Sequence, residues 1–249
     1  MSSIRDHNLG SKLKFDPGKL FNEDQYRETD ALVVSLALIF NDIKGLVLFI
    51  SAFEEVAPST EDGPTSAKVG QYSGIQSQII RYKIGIFREL LMLLKEKKDL
   101  LSTEIIKRAY NKMDGSAQTN WDQIKFIAIE NKMPDSMKQF KTAFIKMRNH
   151  GAFHYYQTDP IAEGYEYHFS KDAPTSKNAY LSKGKTLEET RFYFADAAIS
   201  GLYEKWIDEM KEPNFFQVLE NYIKLTHSSI RSFVISYLAE RGVELILEP

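Results

Sequence analysis

The sequence predicts an all-α protein, a bundle of about six or seven helices with one small β-hairpin inserted. Three observations carry this expectation. Gly and Pro are scarce, 13 and 8 of 249 residues, against a usual combined share of roughly 12%. Long stretches place apolar residues three or four apart, the helical period. Start and stop signals stand where those stretches begin and end.

Residues 1–20 are polar, with Gly10, Pro17 and Gly18, and read as a loose tail before a single domain over 21–249. Helix one is expected from about Glu23 to Val56, with Asn22 or Asp24 as cap. Pro58, Gly63 and Pro64 break the chain after it. Helix two covers Tyr72 to Asp99, on the spacing of Ile75, Ile79, Ile80, Ile84, Phe87, Leu91 and Leu94. Leu101 to Met113 forms a shorter helix, stopped by the Asp114–Gly115 turn. Trp121 to Ile129 follows. Pro134 and Asp135 open another helix, whose apolar face is Met137, Phe140, Phe144, Ile145 and Met147. Over 158–186 the pattern changes. Tyr165, Tyr167 and Phe169 alternate with Glu166 and His168, which is strand spacing, and Asn178–Ser182 is the expected partner strand. Thr186 with Glu189 fits a capping box for a helix to about Lys211. Phe215 to Arg241 is the last helix, stopped by Gly242. The aromatics Phe192, Tyr193, Phe194, Phe215 and Phe216 read as core.

Composition narrows the chemistry. The chain contains no Cys, which excludes disulfides, thiol nucleophiles and Cys-type metal sites. The net charge is −2, but residues 62–158 carry 16 Lys/Arg against 9 Asp/Glu, a basic middle able to gather phosphate. The run Ala31–Phe53 is long enough to span a bilayer. Asn41, Asp42 and Lys44 interrupt it, and a central Asp or Lys costs roughly 2.5–3.5 kcal/mol on insertion. A buried helix is therefore expected and no membrane. The polar N-terminal stretch lacks a signal-peptide core, so a cytoplasmic location is expected. Gly184–Lys185–Thr186 resembles the end of a P-loop, but Ala179 occupies the required first Gly.

The densest cluster of reactive groups is Arg148, Asn149, His150 and His154, followed by Tyr155 and Tyr156. Arginine is a permanent cation whose planar fork suits phosphate. Histidine exchanges protons near neutral pH. Together they suffice to cleave RNA without metal, with an imidazole taking the 2′-OH proton and the guanidinium holding the charge on phosphorus. On one unbroken helix Arg148 and His154 would stand roughly 120° apart. A two-fold dimer that brings two copies of the segment together would supply both acid and base. His150 and His154 are four apart, as in zinc-binding helices, but Gly151 replaces the catalytic Glu and a third ligand would have to come from as far as His168. No metal or cofactor is expected. Asn41, with Val34, Ala37, Leu38, Gly45 and Leu48 around it, is a candidate to point inward and, with Asp42, to orient a catalytic side chain from behind; the expected reading of Asn41, Asp42 and Lys44 is a narrow solvent-facing stripe.

The segment resembles the signature of the HEPN superfamily (higher eukaryotes and prokaryotes nucleotide-binding domain). That signature is an Arg, a polar residue, and a His after four to six intervening positions, matched here by Arg148, Asn149 and His154. The resemblance implies an α-helical bundle and a homodimeric, metal-independent endoribonuclease, a toxin or antiviral-defence effector. It implies Arg148, His154 and Asn149 as catalytic residues, with His150 and Tyr155 contacting substrate. RNA is then the substrate, and a cognate antitoxin or nucleotidyltransferase a partner. Other members do not catalyse, so the alternative is a helical module that binds nucleotide, RNA or protein without turnover. The 158–186 segment is no part of the family's minimal core.

Overall fold

The computed structural model describes residues 13–55, 57–59, 61–63, 66–130, 135–151, 158–169, 179–183, 185–186, 190–211 and 213–247. Among these are eight α-helices: α1 (Arg27–Glu54), α2 (Ala67–Glu96), α3 (Glu104–Asn111), α4 (Gly115–Ile129), α5 (Asp135–Gly151), α6 (Thr158–Phe169), α7 (Tyr193–Met210) and α8 (Phe215–Glu240). Two short strands, β1 (Leu13–Lys14) and β2 (Ile246–Leu247), pair antiparallel. The protein is all-α. The chain divides into two compact units, Met1–Phe49 with Ile86–Met133 and Leu219–Pro249, and Ile50–Gly85 with Pro134–Val218.

The first unit is organised by α1 running antiparallel to α8. Thr29 and Asp30 meet Tyr237, and Phe40 stacks on His227 at 4.6 Å. Leu32, Leu36, Ile39 and Ile43 form the buried face of α1, spaced three or four apart as helical burial requires. Phe87, Leu90 and Leu94 of α2 and Trp121 and Ile124 of α4 complete the core, with Trp121 stacked on Phe233 at 4.6 Å. Asp114 caps α4 by accepting the Ala117 N–H at 2.8 Å. At the far end of α8, Gly242 takes a φ of +67°. The Gly242 and Val243 N–H groups then return to the Ala239 and Leu238 carbonyls. This pattern satisfies the orphan carbonyls of the last turn and favours a residue without Cβ at the left-handed position.

A buried polar cluster ties the start of this unit to its end. The Asp30 carboxylate accepts from Arg241 Nε (3.1 Å), the Tyr237 hydroxyl (2.7 Å) and the Phe21 N–H (2.8 Å). Arg241 Nη2 donates to Asn22 Oδ1 (2.8 Å) and the Lys19 carbonyl (3.1 Å), and Nη1 to Glu23 (3.2 Å). The guanidinium also lies 4.1 Å from the Tyr26 ring centre. Asn22 thus binds the opposite end of the chain rather than capping α1. Residues 13–20, expected to belong to a loose tail, instead contribute β1 and a short 3₁₀ turn at Pro17–Lys19.

The second unit contains the correction to the expected hairpin. Thr158–Phe169 is helix α6, not a strand. Between Asn178 and Ser182 the described residues hold one isolated bridge, Ser182 to Arg191. Helix α6 packs against α7 through Gly164 and Gly201 in close approach. A Cβ on Gly164 would be driven into the Ala198 carbonyl oxygen and sit 2.7 Å from Leu202 Cβ; one on Gly201 would meet the Gly164 carbonyl and lie 2.7 Å from His168 Cβ. Helix α5 joins them by burying Phe140, Ala143, Phe144 and Met147, with Phe140 5.2 Å from Phe215. Ile145, expected on that face, is exposed, as are Phe192 and Phe216.

Candidate functional site

Helix α5 carries the first part of the reactive cluster. Phe140, Ala143, Phe144 and Met147 recur at three and four and bury one face, so the residues between them stand to either side of the packed line. Arg148, Asn149 and His150 occupy the last described turn, which ends at Gly151. Asn149 is half-buried. The side chains of Arg148 and His150 lie outside the described part of the structure, as do His154, Tyr155 and Tyr156. One turn earlier, Lys146 is engaged twice: its ammonium pairs with Glu209 at 3.0 Å and sits 5.1 Å from the Trp206 ring centre.

The chain is described again from Thr158, and there it borders a cavity of about 690 Å³. Ile161, Ala162 and Tyr165 from α6 and Ala198 and Ile199 from α7 give it an apolar wall. Three charged residues line it as well: Arg81, Glu166 and Asp196. Arg81 comes from α2 and is buried. Asp196 is held by Arg191 at 2.8 Å, whose guanidinium lies against α2 at Gly74, where a Cβ would collide with it. The volume is in the range of small-molecule sites, and a mostly apolar lining with a few charged groups is their usual chemistry. No sequence motif marks Arg81, Glu166 or Asp196. The glycines at 74, 164 and 201 were the available signal, because isolated helix glycines mark close approach.

Around this cavity the surface of α6 and α7 is acidic. Lys205 pairs with Glu163 at 2.9 Å, and that hydrogen bond raises its affinity for its proton. The Tyr167 hydroxyl donates to Asp208, and this bond pushes the phenol above its ordinary value.

Asn41 and Asp42 are both exposed on α1, within the first unit. Asn41 and Asp42 thus lie on the solvent-facing stripe and not in the inward position of a supporting residue. Its neighbours Val34, Leu38 and Gly45 are exposed too, and the core is served by Leu32, Leu36, Ile39 and Ile43 on the other side of the helix. His168, the distant zinc-ligand candidate, is half-buried in α6 with its ring edge-on to Phe169 at 4.8 Å. Among the described residues no group of three or more His, Asp or Glu is placed to hold a metal ion. One described helical stretch, Asp24–Glu54, is long and apolar enough to cross a bilayer, with a mean hydropathy of 2.0 over 18 residues, 17% of them buried.

Comparison of the chain with protein-family models, with curated proteins and with solved structures returns no match.

Proposed function

We propose that this protein is a HEPN-type, metal-independent endoribonuclease that acts as a homodimer, as a toxin or defence effector does. The observation that carries the reading is the cluster at the end of α5. Arg148, Asn149 and His150 share the final described turn of a helix anchored in an all-α unit, with His154 four residues beyond His150 in sequence. His154 takes the proton of a ribose 2′-OH, and the freed oxygen attacks the adjacent phosphorus. The 5′ oxygen leaves with a proton from the partner subunit's His154. Arg148 holds the charge that builds on the phosphoryl oxygens, and Asn149 orients it or the substrate. The products are a 2′,3′-cyclic phosphate and a free 5′-hydroxyl.

The test is RNA cleavage by the full chain in excess EDTA, with end-group analysis. Cyclic phosphate ends, lost in Arg148→Ala and His154→Ala proteins of unchanged helicity, support the reading. Equal cleavage by His154→Ala, or none by the native protein on structured and unstructured RNA, refutes it.

A further inference from the structure

Helices α1 and α8 of the first unit enclose a cavity of about 330 Å³. Their antiparallel pairing sets its walls. Phe40 stacks on His227, so the next turn along α1 meets the preceding turn of α8. Ile43, Val47 and Leu48 line one side and Ile223 the other. This wall is aliphatic, and no Phe, Tyr or Trp is among the described lining residues.

The same register sets Lys44 across from Lys224 at the mouth of the cavity, both exposed. Like charges facing each other across a groove repel. Among the described residues neither lysine joins an ion pair, and nor does Arg231, one turn beyond His227. The one carboxylate of the lining, Glu220, already has a partner within the chain. His227 lines the cavity and reports the resulting field: burial first, then Arg231 and Lys44, hold its imidazole below the ordinary value.

Small-molecule sites start at about 300 Å³ and join an apolar lining to a few placed polar groups. An aliphatic wall suits a saturated chain, whereas a nucleobase seeks an aromatic face. Two lysines without counter-charge suit an anion. We infer that this groove binds a short aliphatic carboxylate, with its chain against Ile43, Val47, Leu48 and Ile223 and its head between Lys44 and Lys224. All of these residues belong to the first unit, and the site stands independently of the nuclease reading. A bare anion would leave the aliphatic wall in water, and an uncharged chain would leave the two ammonium groups opposed.

NMR of the full chain titrated with octanoate tests it. The native protein should bind with a Kd of about 1 mM or tighter. Octanoate should raise the titration midpoint of His227 by about one unit, as an anion brought close to an imidazole does. Lys44→Gln/Lys224→Gln, altered only at exposed positions, should bind at least about tenfold more weakly. Lys97→Gln/Lys107→Gln removes the same charge from exposed positions elsewhere in the unit and should bind as the native protein does. Octanol and acetate, each keeping half of the ligand's chemistry, should both bind at least about tenfold more weakly than octanoate. Absence of octanoate binding overturns the inference. So does undiminished affinity in a folded Lys44→Gln/Lys224→Gln protein, or acetate or octanol binding as well as octanoate. Displacement of octanoate by an equal concentration of adenosine monophosphate overturns it too, as does flotation of the native protein with phosphatidylglycerol vesicles in place of binding to free octanoate.

Discussion

Replacing Arg241 by Met should be among the most damaging changes available in the first unit. Methionine keeps the apolar stem and removes the charge and its donors. The Arg241 side chain is 4% exposed and the Asp30 side chain 0%, so water cannot take over the abandoned carboxylate. Asp30 would retain only the Phe21 N–H and the Tyr237 hydroxyl, while Asn22 and the Lys19 carbonyl lose the Arg241 donor and Glu23 keeps Gln25. Removing one partner of a buried pair costs about 3–5 kcal/mol, much of it the penalty of an uncompensated charge. The double variant Asp30→Asn/Arg241→Met isolates that penalty, because the amide oxygen can still accept from Tyr237 and Phe21 without carrying charge. It should recover about half the loss or more. Urea unfolding at pH 7, followed by circular dichroism and by tryptophan fluorescence, reads both numbers. A loss below about 1 kcal/mol in Arg241→Met, the scale of an exposed ion pair, would refute the reasoning. So would a double variant as unstable as the sum of its singles.

Further expectations follow from other contacts. Gly164→Val should separate α6 from α7, because even a Cβ there strikes the Ala198 carbonyl and Leu202; overpacking of this kind costs about 1–3 kcal/mol or more, and unchanged thermal unfolding would contradict it. Asp114→Ala removes the cap of α4 and should cost about 1 kcal/mol by chemical denaturation, whereas Asp114→Ser should cost less. His227 is held below its ordinary value of 6.5 by burial, then by Arg231 and Lys44. The unfolded chain therefore binds this proton more readily, so its contribution is complete above pH 6.5 and is lost as pH falls below that value. His227→Phe, which keeps the stack on Phe40, should flatten the stability profile between about pH 7 and pH 5; an unaltered profile would show that His227 does not shape it.

The sequence shows most of the helices plainly and one of them badly. Helix α8 begins at Phe215, as its apolar onset indicates, and ends one residue short of Arg241, with Gly242 in the left-handed turn that only a missing Cβ makes cheap. Helix α6 has the look of a strand in the sequence because Tyr165, Tyr167 and Phe169 alternate with polar residues. Its contact with α7 runs through Gly164 and His168, four apart as on a helix, and the buried one of the two is a glycine that carries no hydropathic signal. The orientation of Asn41 is open in the sequence for a related reason. Helix α1 is apolar nearly all round, so periodicity alone cannot say which of two stripes meets the core. The Asp30–Arg241 cluster left no trace in local pattern, since its members are 211 residues apart. Of the candidate site, the placement of Arg148, Asn149 and His150 on the end of a helix was legible from Pro134, Asp135 and the apolar spacing that follows. The cavity beside Thr158 was not, because it is assembled from α2, α6 and α7.

The same long-range pairing has a consequence for how the chain leaves the ribosome. Both segments of the second unit, through Val218, are synthesised before the Leu219–Pro249 segment that completes the first. Translation proceeds at about 5–20 residues per second, so α1 emerges many seconds ahead of the helix that covers it. Throughout that interval Asp30 waits for Arg241 and Tyr237, so the first turns of α1 lack the partners that hold them in the finished unit.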